Sequence, residues 1–239
     1  MEIFCCHNKK GKPINTLTKL ALGMIGQLKP QPAQGNAVSA LSLPPPQTHG
    51  GLPLMQTLSQ RHSERGFSPS PLGHQVLSDL LWAAAGVNRP DDEGRTTPSA
   101  MNSQEIEVYV ALPEGLYRYE PSGHMLYLIS ATDVRRVTGY QDFVDRAPLD
   151  LIFVADHSRM TAVPAAHRES YASAAAGAMA QNVYLFCASA GLATVIRAWI
   201  DRQALSEAMG LQADHQILLS QTVGRPAAAP AAGVSQPPA

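Results

Sequence analysis

Apolar positions recur at helical spacing in several stretches of the chain. Val76, Leu77, Leu80, Leu81 and Ala84 predict a helix over 72–87, with Gly86 marking its end. Leu54, Met55 and Leu58 predict a shorter one over 54–60. The longest helix opens at Pro164, runs to about residue 190 and stops at Gly191. Small or apolar residues cover every face of its second half, which predicts burial all round, against a sheet or a second subunit. A further helix over 202–209 is closed by Gly210. Strand patterns occupy 106–112, 116–119 and 125–129, separated by Pro113–Gly115 and Pro121–Gly123, so these three predict an antiparallel meander. Residues 149–155 are almost continuously apolar and predict a buried strand. A last strand is predicted over 217–223. The polar run 88–97 reads as a loop, and 133–138 as a short helical piece. Helices and strands in this order predict an α+β domain.

Proline places the boundaries. Of 19 prolines, 11 lie before Met55 or after Gly224, in stretches also rich in Ala, Gln, Gly and Ser. Such segments bury little, so a mostly disordered leader (1–53), a folded domain (54–226) and a Pro/Ala-rich tail (227–239) are expected. Lys9, Lys10, Lys12 and Lys19 precede an apolar patch at 20–28 and then small residues, the order of an export signal. The patch is short and interrupted, which favours the cytoplasm. The periplasm is the alternative should the signal work. Net charge is −1, which argues against nucleic acid as a partner. No uninterrupted apolar run reaches membrane-spanning length. The 3 cysteines, two of them adjacent, make neither a disulfide framework nor a zinc site.

Four clusters carry candidate chemistry. Arg61-His62-Ser63-Glu64-Arg65 would put two guanidinium groups on one face of a helical turn, a donor set suited to phosphate, or would simply form a solvated helix end. The segment from Thr97 through Pro98, Ser99, Ala100, Met101, Asn102 and Ser103 to Gln104 has small residues and amides that can lie along a flat heterocycle, or form an ordinary loop. Gln181-Asn182 sits in an apolar helix and must find partners, in the core or across a subunit contact. Val195–Trp199, with Arg197 and Ala198, is followed after the last strand by Gly224-Arg225, where Arg225 is a third cation for phosphate or a surface arginine. No nucleophile triad, carboxylate pair, metal spacing or glycine-rich phosphate loop is present.

These four clusters, in this order, resemble the nitroreductase family of flavin enzymes over 54–226. Arg61–Phe67 is similar to the family's R-x-S-x-R/K-x-F element, and Pro98–Gln104 to its P-S-x-x-N-x-Q element. Gln181-Asn182 with Gly191–Thr194 is similar to its alanine-rich helix and following turn, and Gln221–Pro226 to its closing strand. The helix holding Trp82 and the Leu116–Tyr119 hairpin are similar to the branch that includes the azoline oxidases. The resemblance implies a mainly antiparallel sheet flanked by helices in an intertwined homodimer, with two FMN at the interface. Arg61, Ser63 and Arg65 would hold FMN phosphate, ribityl chain and pyrimidine edge, with His62 contributing. Pro98, Ser99, Ala100, Met101, Asn102 and Gln104 would line the ring, mostly across the interface. Arg197 and Ala198 would present backbone groups near N5, and Gly224 and Arg225 would close the site.

The implied activity is ping-pong hydride transfer from NAD(P)H through flavin to a nitro, quinone or similar small-molecule acceptor. The alternatives are a flavin-dependent dehydrogenase or oxidase of a small molecule or peptide ring, and a non-catalytic flavin-binding dimer. No catalytic side chain is required, because the flavin carries the hydride, and a cation such as Arg65 would stabilise its reduced, anionic form. Two departures stand out: the family's basic residues after the last strand are replaced by Pro and Ala, and Arg225 stands where the family favours Tyr.

Overall fold

The computed structural model describes residues 14–228. Its centre is a seven-stranded antiparallel sheet. β1 (Gln31–Pro32) lies outside it; β2 (Ala40–Ser42) is its edge. Then come α2 (Leu54–Gln60) and α3 (His74–Ala85), preceded by α1 (Thr16–Met24), and a small hairpin of β3 (Val87–Arg89) and β4 (Gly94–Arg95). The meander follows as β5 (Ile106–Leu112), β6 (Gly115–Glu120) and β7 (Met125–Ser130), with β8 (Thr132–Asp133) pairing β1. β9 (Leu149–Asp156), α4 (Ala165–Ala190), β10 (Ala193–Arg197), α5 (Arg202–Met209) and β11 (His215–Gly224) complete the chain. The strand order is β10-β11-β9-β5-β6-β7-β2.

Both sheet faces are covered, and the alternation along the strands shows why. Val108 and Val110 of β5, with Leu151 and Phe153 of β9, face a core closed by α3 and α4. Tyr109 and Ala111, with Ile152 and Val154, face a second core closed by Leu205 and Met209 of α5 and by Leu28. Successive side chains of a strand point to opposite faces, so two buried faces read as a continuous apolar run. α4 ends as its sequence predicts, with Gly191 at φ 66°, the left-handed conformation that favours glycine.

Three expectations need correction. Residues 14–53 are not a disordered leader. β2 pairs β7 through Ala40↔Tyr127 and Leu41↔Leu126, and Leu28 is buried. Lys19, fully buried, donates to Gln141 O at 3.0 Å and pairs with Asp145, which also accepts from Arg136 Nε at 3.1 Å. Burial pushes the Lys19 amine below its ordinary range, against the opposing pull of Asp145. Composition cannot show this, because the carboxylate that neutralises Lys19 lies far along the chain. Second, residues expected as loop or motif form β3, β4 and β10, each held by a ladder to another strand. Third, the sheet alone does not bury α4 all round: Ala174, Gly177 and Gln181 are exposed in the single chain, open to the other expected cover, a second subunit. The terminal parts of the expected leader and tail, 1–13 and 229–239, lie outside the described residues. Among the described residues no helix is long and apolar enough to cross a membrane.

Candidate functional site

The helix before the first motif ends where expected, and no helical turn continues through the motif. α2 ends at Gln60, and Arg61, at φ −58° and ψ 120°, leads into extended chain. Arg61 and Arg65 therefore do not share a helical turn. The segment exchanges helical bonds for tertiary ones: Glu64 N–H donates to Thr194 O of β10 at 3.0 Å, and Ser63 Oγ hydrogen-bonds Tyr184 Oη of α4 at 2.7 Å. Tyr184 Oη also accepts from Ile196 N at 3.0 Å. The Arg61 guanidinium lies over the Tyr184 ring, 5.1 Å from its centroid, a cation–π contact. One tyrosine thus ties together the first motif, α4 and β10. His62 points to solvent, its Nδ1 2.8 Å from Gln60 O. Glu64 turns back on its own backbone, accepting from the amides of Gly66 and Arg65, which hold its carboxyl below the usual carboxylate range.

The first and last motifs meet. Phe67 bridges Pro226, Ser68 N–H donates to Arg225 O at 2.9 Å, and Ala227 N–H donates to Gly66 O at 2.9 Å. Gly224 is needed there, since a Cβ would stand 2.8 Å from Pro148 and 3.3 Å from Phe67. Arg65 opens onto a cavity of about 650 Å³ that Phe143 and Arg146 also line. Arg61, Arg65 and Arg225 form no ion pair among the described residues.

The second motif is a tightly determined bend. Met101, Asn102 and Gln104 take φ of 54°, 51° and 48°, left-handed values that cost energy in residues with a side chain. Local bonds hold them: Gln104 N–H donates to Ser99 Oγ at 3.0 Å, Ser103 Oγ donates to Ala100 O at 2.7 Å, and Gln104 Nε2 donates to Glu93 O at 3.0 Å. Met101 is 74 % exposed at the tip. Pro98, Ser99 and Ala100 form, with Tyr171, Ala174 and Ala175 of α4, an open apolar groove of about 310 Å³.

Asn182 is a satisfied core amide, its Nδ2 donating to Ala83 O at 3.0 Å; Gln181 is exposed and not buried as expected. Arg197 is inward-facing. Its guanidinium donates to Asp150 Oδ1 at 2.6 Å, Thr138 O at 2.7 Å and Thr222 Oγ1 at 2.7 Å. Burial lowers its pKa, and Asp150 opposes the shift. Its side chain is therefore closed to a ligand, while the adjoining Ala198 and Trp199 are exposed. Tyr171 and Tyr184 went unmarked in the sequence reading. Their signal was present: they are the two tyrosines of an alanine-rich helix, each with an apolar body and a polar tip.

The fold and site define a protein with outward cations beside one end of a central helix and a flat apolar groove beside the other. The sequence model of the nitroreductase family matches residues 58–225. A protein of Methanocaldococcus jannaschii named as a nitroreductase is 36 % identical over 153 residues, covering 59 % of this chain and 76 % of that one. A crystal structure from Ralstonia eutropha JMP134, titled as a nitroreductase, is 54 % identical with TM-score 0.81, covering 84 % of this chain and 96 % of that one. A structure from Desulfovibrio desulfuricans, titled as a nitroreductase in complex with FMN, shares the fold at 21 % identity and TM-score 0.55, covering 74 % of this chain and 88 % of that one. The chain belongs to the nitroreductase family. It is a flavin-dependent oxidoreductase.

Proposed function

We propose that two copies of this chain bind FMN between them and move a hydride from NAD(P)H to a small-molecule acceptor of the nitro or quinone type. The observation that carries this reading is the set of arginines without acidic partners among the described residues, Arg61, Arg65 and Arg225, around Ser63 and the closing strand. An unpaired, outward guanidinium group is a ready partner for a phosphate. Arg61 and Ser63 would hold the phosphate and ribityl chain. Arg65 would face the negative charge that reduction places on the pyrimidine side. Ala198 and the backbone of Arg197 would stand at the ring edge. Bound FMN supplies the hydride carrier, which is why no acid/base pair is needed. NAD(P)H and the acceptor then take turns at one site, giving ping-pong kinetics.

Helix geometry favours the homodimer. Tyr184, beside Arg61 and Ser63, and Tyr171, beside Pro98–Ala100, lie 13 residues apart on α4, on the order of 20 Å along its axis. One flavin ring cannot touch both ends within one chain. A two-fold axis crossing α4 midway, at Gly177, would lay Tyr184 of one copy against the partner's Tyr171. The two halves of the site would then meet. Ala174, Gly177 and Gln181 form the exposed stripe this requires, and a Cβ on Gly177 would meet no atom within 4 Å of its own chain. Gly177→Trp is accordingly expected to yield a folded monomer that retains no flavin, read by light scattering and absorbance. A dimeric, yellow variant would refute this axis.

The function itself is tested by the absorbance spectrum of the native protein, followed by NAD(P)H titration without air. Flavin bands that bleach stoichiometrically are expected. Bands that persist under NAD(P)H would favour oxidation of a substrate ring instead. A protein colourless even after FMN is added would overturn the reading.

A further inference from the structure

The face of the sheet near β4 holds a second cluster of charge that the flavin reading leaves unused. Arg95, Arg118 and Arg159 converge on a cavity of about 50 Å³, also lined by Glu107, Tyr119 and Glu120. That is several times the ~15 Å³ one water needs and far below the ~300 Å³ of a pocket for a ring-sized ligand. Two of the arginines are accounted for: Arg118 and Arg159 donate to the same Glu107 oxygen at 3.3 and 2.7 Å. The other Glu107 oxygen accepts from Tyr109 Oη at 2.8 Å.

Arg95 is different. Its guanidinium has no hydrogen bond or ion pair among the described residues, and its Nε is fully buried without a partner. Buried donors in native proteins have partners, and although Arg95 as a whole is only half-buried, its Nε has none. Burial, and then the neighbouring Arg159, lower the pKa of Arg95, against the opposing pull of Glu120, Tyr119 and Glu105. The nearby acids do not complete it. Glu120 Oε1 accepts from Ser122 N at 3.3 Å. Glu105, fully buried, gives one oxygen to Ser103 Oγ; its Oε1 is buried without a hydrogen-bond partner, but it makes no bond to Arg95 and does not line the cavity. Tyr119 Oη is engaged with His124 Nδ1 at 2.8 Å.

We propose that this cavity binds a small oxyanion of carboxylate size between Arg95, Arg118 and Arg159, and that its occupancy tightens FMN binding. The second half rests on the proposed function. Arg95 stands three residues before Pro98, at the start of the bend that would wall the flavin. An anion on its guanidinium anchors β4, and with it the left-handed run at Met101, Asn102 and Gln104. Coupling of this kind is reciprocal: formate must tighten FMN binding by the same factor as FMN tightens formate binding.

The probe is ¹³C-formate, followed by line broadening at constant ionic strength in flavin-free protein, so that binding is read independently of any flavin. Saturable broadening is expected in the wild type, at least tenfold weaker in Arg95→Met and unchanged in Arg61→Ala. Should Arg95→Met fail to fold, Arg118→Gln carries the same comparison. Displacement by acetate but not by inorganic phosphate marks a carboxylate site, and displacement by both marks a general oxyanion site. Broadening that does not saturate, or that is equal in wild type and Arg95→Met, overturns the site. FMN affinity unchanged by saturating formate overturns the coupling, whatever becomes of the site. Formate binding in a protein that never takes up flavin would sink the flavin reading instead.

Discussion

Replacing Arg61 and Arg65 together by alanine strips the protein of flavin while leaving it folded. Hydrogen bonds to charged groups contribute about 1.5–3 kcal/mol each. Losing even one such bond per arginine weakens FMN by at least a hundredfold in the double variant, since 1.4 kcal/mol is tenfold. The fold should change little. Neither arginine forms an ion pair among the described residues, so no buried charge is orphaned, but half-buried Arg61 gives up its cation–π contact with Tyr184, on the order of 0.5–1 kcal/mol. Exposed Arg65 should cost within about 0.5 kcal/mol. FMN fluorescence titration, read beside a urea unfolding curve, separates the two effects. Full flavin affinity in the double variant would remove Arg61 and Arg65 from the site, and with them the main support for the proposed function.

The second large effect lies beneath the site. Asp150→Ala is expected to destabilise the protein by about 3–5 kcal/mol, the range for breaking one partner of a buried ion pair. Asp150 is fully buried on β9. It receives Arg197 at 2.6 Å, Thr138 Oγ1 at 2.9 Å and the Thr222 hydroxyl. Without it, the Arg197 guanidinium, 3 % exposed, keeps only neutral oxygens. Arg197→Met should cost less, because Asp150 would retain both threonine hydroxyls. Urea midpoints at unchanged slope check the order. Should both variants prove as stable to urea as the wild type, the pair would not be the buried anchor that holds β10 against β9 and β11. Flavin retention should fall with Asp150→Ala as well, because this pair fixes the backbone of Arg197 and Ala198.

Much of the architecture was legible residue by residue. The strand pattern of β5 and the almost continuous apolar run of β9 announced strands, the second of them buried, and Gly191 and Gly210 closed their helices in left-handed conformation. The first and last motifs, far apart in the chain, come together in the fold, where Arg61–Phe67 and Gly224–Pro226 meet. The short edge elements were not legible. β2, with three residues, is too short to show a period, β10 was read as part of a motif, and each pairs a neighbouring strand's backbone groups. Nor could spacing reveal that Arg61 leaves the helix, because Ser63 and Glu64 are drawn off by Tyr184 and Thr194, more than a hundred residues away.

The sequence by itself therefore determined the local elements, the α+β order and the chemical character of the site: guanidinium groups, small flat-lying residues and an alanine-rich helix. Periodicity and residue chemistry are local properties and can be read locally. Only the tertiary structure decided which cations are spent and which are free. Lys19 and Arg197 are consumed by buried aspartates, whereas Arg61, Arg65 and Arg95 pair with no acid among the described residues. Charge pairing depends on distances between residues far apart in the chain, and those distances exist only once the sheet has closed.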